Sequence, residues 1–185
     1  ERRWAAPDES VVDLAVAAGR KALAASGIDA EQIGMVMLAT VTHPYQTPSA
    51  AVEVAAQVGA VNAGAIDLGA ACAGFCYGLA MASDMIRGGS ANYVLLVGVE
   101  KLSDWVNPDD RGTAFLFADG AGAVVVTATA AGGGAAGGSR SGGESAGGVA
   151  GVSACGGGAA PAGSAAIGAP AWCDRACRQA SSSAE

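Results

Sequence analysis

Ala65-Ile66-Asp67-Leu68-Gly69-Ala70-Ala71-Cys72-Ala73-Gly74-Phe75-Cys76-Tyr77-Gly78 reads as a short apolar strand, a turn of small residues and the start of a helix. The spacing predicts a strand over 65–68, a turn at 69–71 and a helix from about Cys72 to Ile86, stopped by Gly88-Gly89. A residue in the first turn of a helix faces unpaired backbone N–H groups and the positive end of the dipole. That setting favours an anionic sulfur, the form in which a thiol attacks. Ala70, Ala71, Ala73 and Gly74 keep the approach to Cys72 open. The same N–H groups can stabilise the oxyanion of an attacked thioester. A cysteine that is merely buried gives the same spacing, because cysteine is among the most buried residue types. Spacing alone leaves both readings of Cys72 standing.

Outward from this stretch, helical and strand patterns alternate. Ser10 can cap a helix with Asp13 in its first turn, and Leu14, Ala15, Ala18, Ala22 and Ala25 form one stripe before Gly27 ends it. Ile33 to Thr40 is an apolar run of strand length. Pro48 to Val58, closed by Gly59, reads as a helix. Tyr93 to Val99 and Ala121 to Thr127 read as strands, the latter entered through Asp119-Gly120. Strands apolar on both faces, alternating with helices, predict an α/β layer structure with a covered sheet.

The 185 residues suit one domain or a large part of one, and 51% hydrophobic content can supply a core. A net charge of −7 argues against a nucleic-acid partner, which needs cations to neutralise phosphates. Glu1-Arg2-Arg3-Trp4 leads into no apolar run of signal-peptide length, and no stretch suggests a membrane span. Five cysteines without a secretion signal fit a reducing cytoplasm better than a disulfide framework. The missing initial Met is expected to mean that the chain starts inside a longer protein.

Composition divides the chain into residues 1–127 and residues 128–185. The second part has 18 Ala, 15 Gly and 8 Ser among 58 residues and shows no sustained period. Such a segment buries too little surface to offset its ordering entropy, so disorder is expected. A natural tail and a reading-frame shift in GC-rich DNA both yield this composition; the abrupt change after a strand favours the shift.

Residues 1–127 closely resemble the first half of 3-oxoacyl-[acyl-carrier-protein] synthase III, a thiolase-like condensing enzyme. Glu1-Arg2-Arg3 resembles the end of the family's arginine-rich opening. Ala39-Thr40 and Thr47-Pro48-Ser49-Ala50-Ala51 resemble the loop and helix lining its acyl tunnel. Asp67 to Gly78 resembles its nucleophile motif. Asp110-Arg111-Gly112-Thr113 and Phe117-Ala118-Asp119-Gly120-Ala121-Gly122-Ala123 match two further signatures. The resemblance implies the N-terminal half of a layered αβαβα fold. It implies acylation of Cys72 by an acyl-CoA starter, then condensation with malonyl-[acyl-carrier-protein] by covalent, ping-pong catalysis, in fatty-acid synthesis or in polyketide starter-unit assembly. The enzyme so implied is a cytoplasmic homodimer without a cofactor.

By the same resemblance Arg111 sits at the CoA entrance, where a cation pairs with phosphate or stacks on adenine. The competing role is an ion pair with Asp109, Asp110 or Asp119. Thr47 matches a position inserted into the partner subunit's acyl pocket, where a Thr leaves room for longer or branched starters; helix capping beside Pro48 competes equally. The family's condensation step needs a His and an Asn from its second half. His43, the only histidine, matches neither, and Asn62, Asn92 and Asn107 do not match the Asn. A weak self-acylation without condensation is therefore expected of this chain, and a non-catalytic fragment is the other outcome. Cys72 and Cys76, with Cys173 and Cys177, repeat a spacing that a metal could use, but tetrahedral thiolate geometry is not implied. Phe117 to Gly122 precedes a strand rather than a helix, so it reads as a turn and not as a phosphate cradle.

Overall fold

Ser10 and Asp13 open the first helix as a reciprocal pair. The computed structural model describes residues 3–128, and in it α1 spans Val11–Ser26 with Ser10 as its N-cap. The Asp13 N–H donates to Ser10 Oγ at 3.1 Å, and the Ser10 N–H donates to Asp13 Oδ2 at 2.9 Å. The Ser10 hydroxyl donates to the same carboxylate at 2.6 Å and, with the backbone bond, holds its pKa below the ordinary value. Gly27 closes the helix in the left-handed region, φ 70°, where a Cβ is costly. Ser10→Ala is expected to cost about 1 kcal/mol in urea unfolding.

Four strands follow the predicted order: β1 (Met35–Ala39), β2 (Gly64–Leu68), β3 (Tyr93–Lys101) and β4 (Asp119–Thr127). They lie in the order β2-β1-β3-β4. β1 is parallel to β2 and β3, and β4 runs antiparallel to β3. The period of two sorts the side chains between two cores. Val36, Leu38, Leu95 and Val97 face α1 and α2 (Ala50–Val58); Met37, Val94 and Leu96 face α3 (Gly74–Arg87). Each such fully buried Val, Leu or Met contributes about 1.5–3 kcal/mol. Helices on both faces of a mixed sheet are the covered α/β arrangement expected.

Several boundaries differ from the sequence reading. β1 starts at Met35 because Ile33 closes a 3-10 turn at Ala30–Gln32. β3 runs on to Lys101 and β4 starts at Asp119 because the antiparallel ladder continues through Glu100–Gly120 and Lys101–Asp119. The Asp119–Gly122 stretch read as a turn is thus strand. α2 begins at Ala50, with Ser49 rather than Thr47 at the N-cap. Its open N–H groups need no local cap: those of Ala50 and Ala51 each donate to the Asp67 carboxylate at 2.8 Å.

α3 approaches the sheet closely through small residues. A Cβ on Gly78 would come within 2.5 Å of Leu96 Cδ1, and one on Gly74 within 3.1 Å of Ala39 Cβ. Its opposite side leaves Tyr77 and Met81 exposed. Trp105, Phe115 and Leu116 are exposed on the β3–β4 connection. Exposed apolar surface of this kind favours association. The Ala- and Gly-rich segment and Cys155, Cys173 and Cys177 lie outside the described residues.

Candidate active site

Cys72 does not lie in α3. It is the middle residue of a 3-10 turn, Ala71–Ala73, that joins β2 to the helix. In that turn the Ala73 N–H donates to the Ala70 carbonyl at 3.1 Å, and the Gly74 N–H is bonded to Ala71 O. Those two N–H groups are therefore engaged locally, contrary to the expectation of an open helix start at Cys72. Ala71 has φ 46°. A residue with a Cβ is uncommon there, and the conformation costs on the order of 1 kcal/mol or more. The strain turns the chain so that the next residue, Cys72, is exposed as a free thiol.

The thiol borders an open depression of about 390 Å³. Its walls are Ala39 at the end of β1, Gly98 to Glu100 in β3, Asp119 to Gly122 in β4, and the Phe75 ring. Sites of open α/β sheets form at the carboxyl ends of parallel strands, and this depression sits at the ends of β1 and β3. Gly98 allows Phe75 to close one wall, since a Cβ there would meet Phe75 Cδ2 at 3.2 Å.

Two carboxylates hold the rim. Asp119 Oδ2 accepts from the Ala5 N–H at 2.8 Å and the Ser103 hydroxyl at 2.6 Å, and Oδ1 accepts from the Ser103 N–H at 2.9 Å. The Asp119 N–H donates to the Arg3 carbonyl at 3.0 Å. Burial pushes this carboxyl up, but the Ser103 and Ala5 hydrogen bonds and the Lys101 charge outweigh it, so its pKa is lowered. Glu100 accepts from Thr40 Oγ1 at 3.1 Å, Thr42 Oγ1 at 2.7 Å and the Val41 N–H at 3.1 and 3.2 Å. Both roles escaped the sequence reading. A usable signal was present for Glu100: a charged residue directly following an apolar strand that ends beside the site.

Arg111 and Thr47 are both exposed and neither lines the depression. Arg111 makes no ion pair among the described residues, where Lys101 pairs with Asp104 at 3.2 Å. Asp110 instead accepts from the Gly112 N–H and the Thr113 hydroxyl, and Asp119 is occupied as above. The ion-pair alternative for Arg111 is thereby set aside. His43 is half-buried, edge-on to Tyr45 at 5.7 Å, and it does not line the depression.

Residues 66–144 match the family model for 3-oxoacyl-[acyl-carrier-protein] synthase III, a span that takes in the Cys72 turn and both rim carboxylates. Over that span this chain is similar to the family. Beta-ketoacyl-[acyl-carrier-protein] synthase III 1 of Streptomyces coelicolor is 55% identical over 125 residues, covering 68% of this chain and 36% of the relative. The synthase III of Thermus thermophilus superposes with a TM-score of 0.67 at 41% identity, covering 71% of this chain and 40% of the other. The priming beta-ketosynthase of the R1128 polyketide biosynthetic pathway gives 0.66 at 45%, covering 67% and 37%. The chain thus spans little more than a third of the synthase III relatives it matches. The fold is the thiolase-like one of these synthases. Among the described residues no helix is long and apolar enough to cross a membrane.

Proposed function

We propose that this chain carries the acyl-accepting part of a synthase III condensing enzyme, with Cys72 as the nucleophile. The observation that carries the reading is the exposed Cys72 thiol, set after strained Ala71 at the edge of the strand-end depression. In the first step Cys72 Sγ attacks the carbonyl carbon of an acyl-CoA. A new S–C bond forms, the C–S bond to CoA breaks, and CoA leaves as its thiol with the proton that Cys72 gave up. In the second step malonyl-[acyl-carrier-protein] loses CO2 and its carbanion takes the acyl group, giving 3-oxoacyl-[acyl-carrier-protein] and freeing Cys72.

Residues 1–127 form the condensing-enzyme part in this reading. Arg111 meets the CoA at the entrance, and exposed Thr47 reaches the acyl pocket of a partner subunit in a cytoplasmic homodimer. Likeness to a beta-ketoacyl-[acyl-carrier-protein] synthase III and to a priming beta-ketosynthase of a polyketide pathway supports a starter-unit role in fatty-acid or polyketide synthesis.

The second step is where this chain should fail. Neither His43 nor Asn62, Asn92 or Asn107 lines the depression. The test incubates the 185-residue chain with acetyl-, isobutyryl- and longer acyl-CoA thioesters and reads intact mass. Malonyl-[acyl-carrier-protein] is then added and the product is analysed. The expected result is one acyl group on the chain and no 3-oxoacyl product. No acylation by any thioester refutes the nucleophile reading; a 3-oxoacyl product refutes the half-reaction.

A further inference from the structure

We propose that Glu100 is a positioning residue for acyl transfer, fixing the floor of the Cys72 depression through the 40–42 turn. The proposal rests on the acyl-accepting reading of Cys72. Glu100 lines the depression, and its carboxylate accepts from three donors of the 40–42 turn. Oε2 takes the hydroxyls of Thr40 and Thr42, and both oxygens take the Val41 N–H. A carboxylate so engaged is a strong clamp, since each bond is charge-assisted.

What it clamps is the exit of β1. Ala39 is part of the depression wall, and Thr40 follows it directly. Thr40 and Thr42 are almost wholly buried, at 6% and 3% exposure, so their hydroxyls have no water to fall back on. The network is cross-braced. Thr42 Oγ1 also accepts from the Lys101 N–H at 2.9 Å, the Thr42 N–H donates to Thr40 Oγ1 at 3.2 Å, and Trp105 Nε1 donates to the Thr42 carbonyl at 3.3 Å. The ends of β1 and β3, which together make the floor, are thereby locked at one separation. Removing the clamp lets the turn leave that position without touching the thiol itself. An acyl chain that rests against these residues is then held less well, and a longer chain suffers more than a short one.

The test uses the full 185-residue chain and Glu100→Gln, Thr42→Val and the double variant. Glu100→Gln keeps the shape but replaces one acceptor oxygen by a donor. Thr42→Val breaks the clamp from the side away from the depression. Three quantities are read: the rate of Cys72 acylation by short and long acyl-CoA, the rate of its alkylation by iodoacetamide, and amide exchange over residues 40–46. Each single variant is expected to slow long-chain acylation about tenfold and acetyl transfer less. Alkylation should stay within about twofold, and exchange over 40–46 should rise. The double variant should be no slower than the worse single one, because the two residues act through one network. Equal slowing of acylation and alkylation, additive effects in the double variant, or unchanged acylation in Glu100→Gln each overturns the proposal. A wild-type chain that takes no acyl group while still being alkylated overturns both this proposal and the acyl-accepting reading. Normal wild-type acylation with an indifferent Glu100→Gln overturns this one alone.

Discussion

Cys72→Ala is expected to abolish covalent acyl capture, lowering it by about a thousandfold or more. The sulfur is the atom to which the acyl group is bonded, so no neighbouring side chain can substitute for it by geometry alone. Cys76 is the obvious rival. It lies in the first turn of α3, is only half-exposed, and does not line the depression. Cys76→Ser should therefore keep the adduct, and peptide mapping of the acylated wild type should place it on Cys72. Loss of the adduct would not reflect unfolding. Cys72 is exposed and lies outside both hydrophobic cores, so its truncation leaves no cavity to destabilise the fold. The two variants should unfold within about 0.5 kcal/mol of the wild type. An adduct formed at the wild-type rate in Cys72→Ala would remove the central assignment, whatever the sequence around it resembles.

The elements that were legible were those whose physics is local. The Ser10–Asp13 entry of α1 and its Gly27 exit depend on residues within one helix, and both stand as read. Of the stripe, Ala15, Ala18 and Ala22 are buried and Leu14 is half-buried, but Ala25 is exposed while Val12, Val16 and Leu23 complete the buried face. The apolar strands were legible for the same reason: an uninterrupted run such as Tyr93 to Val99 needs cover on two faces wherever it lies. What stayed hidden depends on partners far along the chain. β3 could not be extended to Lys101 without knowing that Asp119 would pair with it across a connection of turns. Asp67 reads as one residue of a motif, and nothing nearby shows that it caps α2 from the end of another strand. Cys72 was found because its setting is local, a turn of small residues after a strand. Its exact seat in a 3-10 turn was not, because that seat depends on the backbone at Ala71 entering a region a residue with a Cβ seldom adopts. Glu100 and Asp119 show the same limit: the residues that hold the site together take their donors from segments about 60 and 114 positions away.

Asp119→Asn is expected to destabilise the chain by about 2–3 kcal/mol near neutral pH, the largest loss from any single polar change proposed here. Three donors converge on this carboxylate, from Ala5 and from both the N–H and the hydroxyl of Ser103. An asparagine offers one accepting oxygen, so in either orientation of its amide at least one donor faces an N–H. The damage also has a direction in pH. The folded carboxyl titrates below its ordinary value of 3.8, because the hydrogen bonds and the Lys101 charge outweigh the opposing effect of burial. A group lowered in this way contributes stability that is fully present above the unfolded value and lost as pH falls through the folded one. The gap between wild type and variant should therefore be constant down to about pH 5 and close progressively below 3.8, as read by urea midpoints across that range. A gap that stays constant to pH 2 would mean that the carboxylate charge is not what holds the segment. Because the same side chain anchors Ala5 while its backbone N–H holds Arg3, the loss is also expected to raise amide exchange at Ala5. That ties stability to the site: the residue that secures the opening segment also forms part of the wall facing Cys72, so the fold cannot lose the anchor and keep the depression.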